Sequence, residues 1–357
     1  MAKIHNYSAG PCILPPSVLK QAAQAVVELD NTGLSLIEMS HRSSEFVAIM
    51  ENARSLVKEL LGVPEGYSVL FLQGGASLAF LTTAYNFLPK NGKAAYITTG
   101  TWAKNAVKEA KHVGNAVEIA TSADQNFNHI PMDFKVPEDA AYLHFTSNNT
   151  IFGTQWQSWP KTDVPLICDM SSDIFSKKIN VADFDLIYAG AQKNMGPAGT
   201  VLYIVKDSML GKTGNSIPAY LDLQVHIDKD SMFNTPPVFA IYTSMLTLQW
   251  LKDLGGVEAI EKINNQKADC LYSAIDELPL FKGHAQKEFR SKMNATFTLT
   301  DESLAEEFNA KWKAAGISGI KGHRSVGGYR ASMYNALPLE SVEVLANVMR
   351  EFSSVKA

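Results

Sequence analysis

Residues 184–205 read FDLIYAGAQKNMGPAGTVLYIV, two apolar runs separated by a glycine-rich turn. The first run, residues 186–189, is short and wholly apolar, as expected of a strand that is buried on both faces. Residues 200–205 return as a second such run, and the GPAG at 196–199 forces the turn between them. Lys193 therefore follows directly on a buried strand. An amine held in such a place would lose hydration, so its pKa would fall and it would become a usable nucleophile. The alternative, which is the more common case for a single lysine, is a surface lysine in a hairpin.

Strands and helices alternate upstream of this stretch. Two helices come first, over 17–30 and from Ser43 or Ser44 to about 61. The predicted strands that follow are 67–72, 94–98, 116–120, 141–145 and 164–168, with helices over 76–87 and 102–112. The alternation predicts an α/β fold with a mainly parallel, doubly wound sheet, in which ligands bind beyond the carboxyl ends of the strands.

The last third of the chain has a different pattern. A polar loop, SMFNTPP at 231–237, precedes a long helix over 238–254 that we predict to be amphipathic. The elements predicted after it are helices over 257–278, 303–315 and 339–352 and a strand over 295–299. We predict a large domain over 16–260 and a smaller α+β domain built from 1–15 and 261–357.

Composition excludes several classes of protein. The chain of 357 residues has a net charge of −4 and a pI near 6.1, which argues against a nucleic-acid partner. Cys12, Cys168 and Cys270 are widely spaced, so we expect neither a disulfide framework nor a metal site, and a cytoplasmic location. The N-terminus has no apolar signal segment and no apolar run reaches about 18 residues, so we expect no membrane span.

Three features at predicted strand ends suit a flat, anionic cofactor. The turn QGGAS at 73–77 opens a helix, where small residues and the helix dipole favour an anion, although it is neither GxGxxG nor a Walker motif. Asp169 ends an apolar strand and could pair with a protonated ring nitrogen. Trp102 opens another helix and could stack on a ring. Each of these residues also fits an ordinary turn or a packing position.

Two basic segments suit an anionic substrate. One is His41-Arg42, and the other is KGHRSVGGYR at 321–330. Between Glu307 and Glu340 there is no acidic residue, but there are five Lys or Arg and one His. Arginine binds carboxylate and phosphate with two hydrogen bonds, and the interleaved glycines favour close backbone approach. A solvated basic face is the alternative.

These motifs together resemble one family. AGAQKNMGPAG around Lys193 is similar to the cofactor-lysine motif of phosphoserine aminotransferases, which are class V pyridoxal phosphate (PLP) aminotransferases. NYSAGPCILP, SHRS, GGAS, SMFNTPPVFAIY and KGHRSVGGYRASMYNA resemble the same family in order and spacing, over nearly the whole chain. The resemblance implies the type I fold of PLP enzymes, with a large domain, a smaller C-terminal domain and a homodimer with shared active sites.

The resemblance also implies which residues hold the cofactor ring. Lys193 would bond to PLP as a Schiff base and move the proton at the substrate α-carbon. Asp169 would pair with the pyridinium nitrogen, and Trp102 would stack on the ring. Thr150, in SNNTIFGT, would contact the side of the ring that carries the phenolic oxygen.

A second set would hold the cofactor phosphate. The backbone of Ala76 and Ser77 is implied there together with Gln192. Asn234 and Thr235 of a neighbouring subunit would complete the site. Some members of the family have an arginine where this chain has Ser77, so one cationic contact is missing at that position.

The remaining residues would bind substrate. Arg330 is implied for the α-carboxylate, and His323, with His41 and Arg42 of the partner subunit, for a substrate phosphate. The implied reaction is transamination between L-glutamate and 3-phosphohydroxypyruvate in serine biosynthesis, with the related phosphorylated hydroxythreonine of vitamin B6 synthesis as a further substrate. The alternatives are a cysteine desulfurase or lyase of the same fold, for which neither Cys168 nor Cys270 is well placed, and a non-catalytic anion-binding protein.

Overall fold

The computed structural model describes residues 4–356, so residues 1–3 and 357 of the predicted small domain lie outside the described part. The strands in that part are β1 (His5–Asn6), β2 (Tyr67–Leu72), β3 (Lys93–Thr98), β4 (Asn115–Thr121), β5 (Ala140–Thr146), β6 (Asn148–Asn149), β7 (Thr154–Gln155), β8 (Leu166–Asp169), β9 (Leu186–Gly190), β10 (Val201–Lys206), β11 (Phe281–Gly283), β12 (Asn294–Leu299), β13 (Ile317–Ser318) and β14 (Tyr329–Ser332). The α-helices there are α1 (Pro16–Val27), α2 (Ser44–Leu61), α3 (Gly75–Phe87), α4 (Thr101–Ala110), α5 (Leu223–Ile227), α6 (Val238–Asp253), α7 (Gly256–Glu277), α8 (Ala305–Ala314) and α9 (Leu339–Lys356).

A seven-stranded sheet forms the centre of the larger part, in the order β2-β10-β9-β8-β5-β3-β4. β10 is antiparallel to both of its neighbours, β2 and β9, whereas the other pairs are parallel. Every strand of this sheet except β10 therefore ends at the same edge. The predicted α/β fold with a mainly parallel sheet is confirmed.

Strand β9 shows why its sequence is wholly apolar. Leu186 and Tyr188 belong to the core beneath α3, α4 and α5, whereas Ile187 and Ala189 belong to the core on the opposite face, beneath α1, α2 and α6. Successive side chains of a strand point to opposite faces, so a strand between two layers of helices needs an apolar residue at every position. Helices on both faces make the sheet doubly wound.

Helix α6 differs from the amphipathic helix that we predicted. Its residues 240–248 are all buried, without the exposed face that the prediction requires. α1, α2 and α7 all contact it, and its side chains join the core under the sheet. Within this buried stretch even the threonines are covered, and Thr243 and Thr247 satisfy their hydroxyls by donating to backbone carbonyls one turn earlier.

Helix α1 also begins differently from the prediction. Pro15 is its N-cap and Pro16 its first residue, and no side chain caps it, so Ser17 lies inside the helix rather than at its cap. Proline suits the first helical position because its missing N–H would have no partner there in any case.

The remaining residues form a second core. It contains Tyr7 and buried side chains of α7, α8 and α9, and it includes the sheet β11-β12-β14. Helix α7 passes from one core to the other, with Val257 and Ile260 in the large core and Ala268 in the small one. A domain boundary at residue 260 therefore stays a prediction inside a continuous helix.

Strand β14 was missed in the sequence, where we described its residues as a basic, glycine-rich segment. Its pairing with β12 puts Arg330 on an ordered strand. No helix within residues 4–356 is both long and apolar enough to cross a membrane.

Candidate active site

A cleft of about 630 Å³ lies at the edge where the parallel strands end. Its walls come from the turns after β2, β3, β8 and β9, with contributions from β14 and the segment before it. The predicted site residues that line it are Ala76, Ser77, Trp102, Thr150, Asp169, Gln192, Lys193, His323 and Arg330. Residues distant in the sequence meet there because their strands share one direction.

Lys193 lies in the turn between β9 and β10. The N–H groups of Met195 and Gly196 both donate to the carbonyl of Ala191, and the Lys193 N–H donates to the same carbonyl. This compact turn directs the lysine side chain into the cleft, where it is 8% exposed and its Nζ donates to Oγ1 of Thr150 over 2.9 Å. The amine thus has a fixed position and a single hydroxyl partner in the described structure.

Burial is the main electrostatic effect on this amine. Loss of hydration lowers the pKa of Lys193 most, Asp169 partly opposes it, and the nearby Arg330 guanidinium adds a smaller lowering, which together leave the pKa at about 8. At physiological pH a substantial fraction of the amine is therefore neutral, which an ordinary lysine with a pKa near 10.4 does not achieve. A neutral amine can act as a nucleophile and as a base.

Asp169 is the last residue of β8 and is only 3% exposed. Its Oδ1 accepts from the Ser171 N–H at 2.9 Å and from the Ser171 hydroxyl at 2.6 Å. Burial raises the pKa of Asp169, whereas these hydrogen bonds and the Lys193 charge lower it. Both contacts of Ser171 are to the same carboxylate oxygen, so the other oxygen can pair with a cationic group in the cleft.

The turn after β2 offers donors to an anion. Gly74 and Gly75 have φ of 93° and 61°, values that favour glycine, and helix α3 starts there without a side-chain cap. The first N–H groups of a helix have no partner within it, and the helix dipole adds partial positive charge at that end. Gly75, Ala76 and Ser77 all line the cleft, so a phosphate there would meet free N–H groups.

Trp102 and Asn105 bring the first turn of α4 to the cleft wall. Trp102 is 36% exposed, which is high for so large an apolar side chain, and it leaves the indole available for a flat ring. The predicted position of Trp102 at a strand-to-helix junction agrees with this geometry.

Arg330 and His323 bring positive charge from the smaller part of the molecule. Burial lowers the pKa of Arg330, and its Nε is buried with no hydrogen-bond partner in the described structure. An unpartnered buried donor on a cation is costly unless an anion binds it. The pKa of His323 is lowered by burial and by the positive charges of Arg330 and Arg324. A bound carboxylate or phosphate would give Arg330 an acceptor and would offset the positive charges around His323.

Four predicted residues do not line this cleft. His41 and Arg42 lie just before α2, and Asn234 and Thr235 lie in the loop before α6. The Gln73 side chain, which comes just before the glycine turn at the cleft, donates to the backbone carbonyl of Thr235. Within the described single chain, the structure therefore does not bring these four residues to Lys193.

Two residues at the site were not identified from the sequence. Ser171 fixes Asp169 and also accepts from the Gly190 N–H at 3.1 Å, so it ties β8 to the end of β9. Its spacing, two residues after a candidate aspartate, is a signal that could have indicated it. Tyr334 has a phenol whose pKa is raised by burial and lowered by a side-chain contact with Thr150, and nothing in its local sequence predicts this contact.

The cysteines do not suit the desulfurase alternative. Cys168 is buried in β8, and Cys270 lies on α7, far along the chain from the catalytic turn. Cys12 does lie beside Lys193, and its Sγ donates to the Lys193 carbonyl at 2.8 Å. Burial raises the pKa of Cys12 to about 12, so its thiol is protonated at neutral pH and is a poor nucleophile.

The residues of the cleft fit pyridoxal phosphate. An uncapped helix N-terminus suits its phosphate, a buried amine suits its aldehyde, and a buried carboxylate suits its ring nitrogen. This combination on a doubly wound α/β fold defines a PLP-dependent transferase. Comparison agrees, because the model of the aminotransferase class-V family matches residues 4–345, and the chain belongs to this family.

The similar proteins carry a more specific name. A phosphoserine aminotransferase of Flavobacterium psychrophilum is 63% identical over 353 residues, which cover 99% of each chain. The solved phosphoserine aminotransferase of Bacillus circulans subsp. alkalophilus has a TM-score of 0.96 at 42% identity, covering 99% of each chain. The PLP-bound phosphoserine aminotransferase of Trichomonas vaginalis has a TM-score of 0.92 at 35% identity, covering 98% of this chain and 100% of that one.

The lowered pKa of Lys193 can be measured in cofactor-free protein. We expect acylation of Lys193 to rise with pH around a midpoint of about 8, because only the neutral amine reacts and burial disfavours its charged form. Exposed lysines, with an ordinary pKa of about 10.4, serve as internal references. Mass spectrometry of the digested protein reports the acylation of each lysine. A midpoint for Lys193 as high as the midpoints of the exposed lysines would contradict the described burial.

Proposed function

We propose that this chain catalyses transamination between L-glutamate and 3-phosphohydroxypyruvate, giving 2-oxoglutarate and O-phospho-L-serine. The observation that carries the proposal is a buried amine and a buried carboxylate in one cleft with an unpartnered arginine. The phosphoserine aminotransferases at 63% and 42% identity support the choice of substrate. The same cleft would take the phosphorylated hydroxythreonine of vitamin B6 synthesis.

Bound PLP supplies an electron sink for negative charge at the substrate α-carbon, provided that its ring nitrogen is protonated. Asp169 has the task of keeping that proton in place, because a carboxylate beside the nitrogen stabilises the charged ring. Ser171 holds one oxygen of the carboxylate through two hydrogen bonds and leaves the other for the ring. Trp102 gives the ring a flat surface to pack against.

Lys193 is the group that transfers the proton of the substrate α-carbon. When it is not bonded to the cofactor, its amine lies free in a poorly hydrated place. With a pKa of about 8 it can take the α-proton and return it nearby, since efficient acid–base groups have a pKa close to the working pH. Thr150 holds Nζ at 2.9 Å and so limits the positions from which that transfer occurs.

Positive charge selects the substrate. Arg330 is proposed to bind the α-carboxylate, because its buried Nε has no other partner in the described structure. His323, on the same side of the cleft, is proposed to contact the substrate phosphate. A keto acid without the phosphate would still pair with Arg330 but would leave the phosphate-binding groups, His323 among them, without an acceptor, which disfavours it by about 1–3 kcal/mol per group.

We propose a homodimer whose subunits share their active sites. His41, Arg42, Asn234 and Thr235 lie away from the cleft of their own chain, so a second copy would have to supply them. Apolar side chains next to these residues support such a contact, since Ile37 is 57% and Phe233 41% exposed. Large apolar side chains with this much exposure are expected on a surface that another chain covers.

We also propose a cytoplasmic location and a role in serine biosynthesis. Cys12, Cys168 and Cys270 are all free thiols in the described structure, as is usual in a reducing compartment. The biosynthetic role follows from the product that the proposed reaction forms.

The activity assay is direct. Purified protein supplied with PLP, L-glutamate and 3-phosphohydroxypyruvate should form phosphoserine, and Lys193→Ala should abolish turnover because no other group replaces the amine. Lys252→Ala, an exposed lysine on α6, is the matched control and should remain active. Near-normal turnover by folded Lys193→Ala protein would overturn the mechanism, and wild-type turnover of cysteine to sulfide instead would favour the desulfurase alternative.

Arg42→Ala should separate the two half-reactions. Loss of one charged hydrogen bond to phosphate costs about 1.5–3 kcal/mol, so kcat/KM for phosphohydroxypyruvate should fall roughly 10- to 150-fold. The half-reaction with glutamate, which has no phosphate, should change little. Arg350→Ala, an exposed arginine on α9, should leave both half-reactions unchanged. Equal losses with both substrates would refute a phosphate-specific role for Arg42.

Shared active sites predict complementation between two defective chains. A heterodimer of Lys193→Ala and Arg42→Ala subunits, purified through two different tags, has one site with both changes and one with neither. It should show about half of the wild-type activity per dimer, because a symmetric interface exchanges the same residues in both directions. Activity no higher than that of the two parents would mean that each chain supplies its own Arg42.

A further inference from the structure

Lys267 is a buried lysine that the proposed mechanism does not use. It lies on α7, has no exposed surface, and points its amine at three backbone carbonyls. Nζ donates to Met333 at 3.0 Å, to Tyr334 at 2.9 Å and to Leu337 at 3.1 Å. These carbonyls belong to the turn that directly follows β14, the strand of Arg330.

The charge of Lys267 has no carboxylate to balance it among the described residues. Burial is the only cause acting on its pKa, which falls to about 7. An ammonium has three N–H donors, and three carbonyls are the acceptors. Burying a charged amine costs several kcal/mol. Hydrogen bonds from a charged donor are stronger than neutral ones, so in its charged form Lys267 holds the turn at 333–337 firmly.

The first path from this turn leads to Lys193. The phenol of Tyr334 donates to the carbonyl of Ala9 at 2.8 Å, and Ala9 lines the cleft. A side-chain contact with Thr150 also acts on this phenol and lowers its pKa, and the Thr150 hydroxyl accepts from Lys193 Nζ. Lys267 therefore holds the backbone of Tyr334, the residue whose phenol lies beside Thr150.

A second path leads to the residue after the catalytic lysine. The Asn335 N–H donates to Oδ1 of Asn194 at 3.0 Å, and the Asn335 side chain donates to the carbonyl of Phe175 at 2.9 Å. Asn264, one turn before Lys267 on α7, donates to Oδ1 of Asn335 at 2.9 Å. The turn at 333–337 thus joins the strand of Arg330 to the turn of Lys193.

We propose that Lys267 is a positioning residue: its amine, hydrogen-bonded to three backbone carbonyls, fixes the turn at 333–337, and that turn sets the Lys193 amine through Tyr334 and Thr150 while joining the Arg330 strand to the large core. The inference rests on the proposed roles of Lys193 and Arg330 in transamination. It assigns a function to a buried charge that contacts neither substrate nor cofactor.

The first test uses Lys267→Met, which keeps much of the side-chain length but removes the charge and the donors. If the turn loosens, water reaches the Lys193 amine, and the acylation midpoint in cofactor-free protein should rise by about one pH unit or more, a tenfold change in the neutral fraction. The KM for glutamate should rise as well, because Arg330 shifts with the same turn. Lys262→Met, an exposed lysine of α7, should change neither value.

A stability control separates positioning from general damage. Leu271→Ala removes buried packing from the same helix, one turn beyond Lys267, without touching the three carbonyls. It should lower the melting temperature but leave the Lys193 midpoint at about 8. A midpoint that rises equally in Leu271→Ala would show a general effect of destabilisation and would overturn the specific role.

A second variant keeps the inference testable if Lys267→Met does not fold. Tyr334→Phe leaves Lys267 and the turn intact but removes the phenol that contacts Thr150, and it should raise the Lys193 midpoint too. An unchanged midpoint in Tyr334→Phe, or in folded Lys267→Met, would overturn the proposal. Because the titration uses no substrate, its failure is distinct from a failure of wild-type protein to form phosphoserine.

Discussion

The hydrogen bond between Lys193 Nζ and Thr150, made where water is scarce, is the interaction on which the site depends. Burial favours the neutral amine and lowers its pKa to about 8, while Asp169 offsets part of that effect. This balance exists only because β9 is covered by helices on both faces and ends in a compact turn. A turn open to solvent would leave an ordinary ammonium, charged and hydrated at neutral pH.

The fold collects the other groups around that amine. Parallel strands bring the α3 N-terminus, Asp169 and Lys193 to one edge, because their carboxyl ends coincide. The smaller core contributes the cations, with Arg330 on a strand of its own sheet. The cleft therefore forms only when the two cores keep a fixed position relative to each other. Lys267 and Asn335 lie where the cores meet, which gives a physical reason for burying a costly charge there.

Strands, turns and the residues at strand ends could be predicted from the sequence, because they depend on local residue patterns. The buried strand before Lys193, the glycine turn at 73–77 and Asp169 at the end of β8 all follow from apolar runs and turn residues. Residues whose role depends on distant contacts could not be predicted, as Tyr334 and Lys267 show, since their partners lie far away in the sequence. Helix α6 was misjudged for the same reason, because periodicity cannot reveal that neighbouring elements bury the whole stretch 240–248.

We propose that one buried lysine, Lys193, carries the cofactor. Borohydride reduction of the purified protein with PLP, followed by digestion and mass spectrometry, tests this directly. The pyridoxyl mass should be found on the peptide that contains Lys193, and the visible absorbance of the protein should be lost. Label on the peptide of Lys267, a second deeply buried lysine with a lowered pKa, or no covalent label at all, would contradict this role of Lys193.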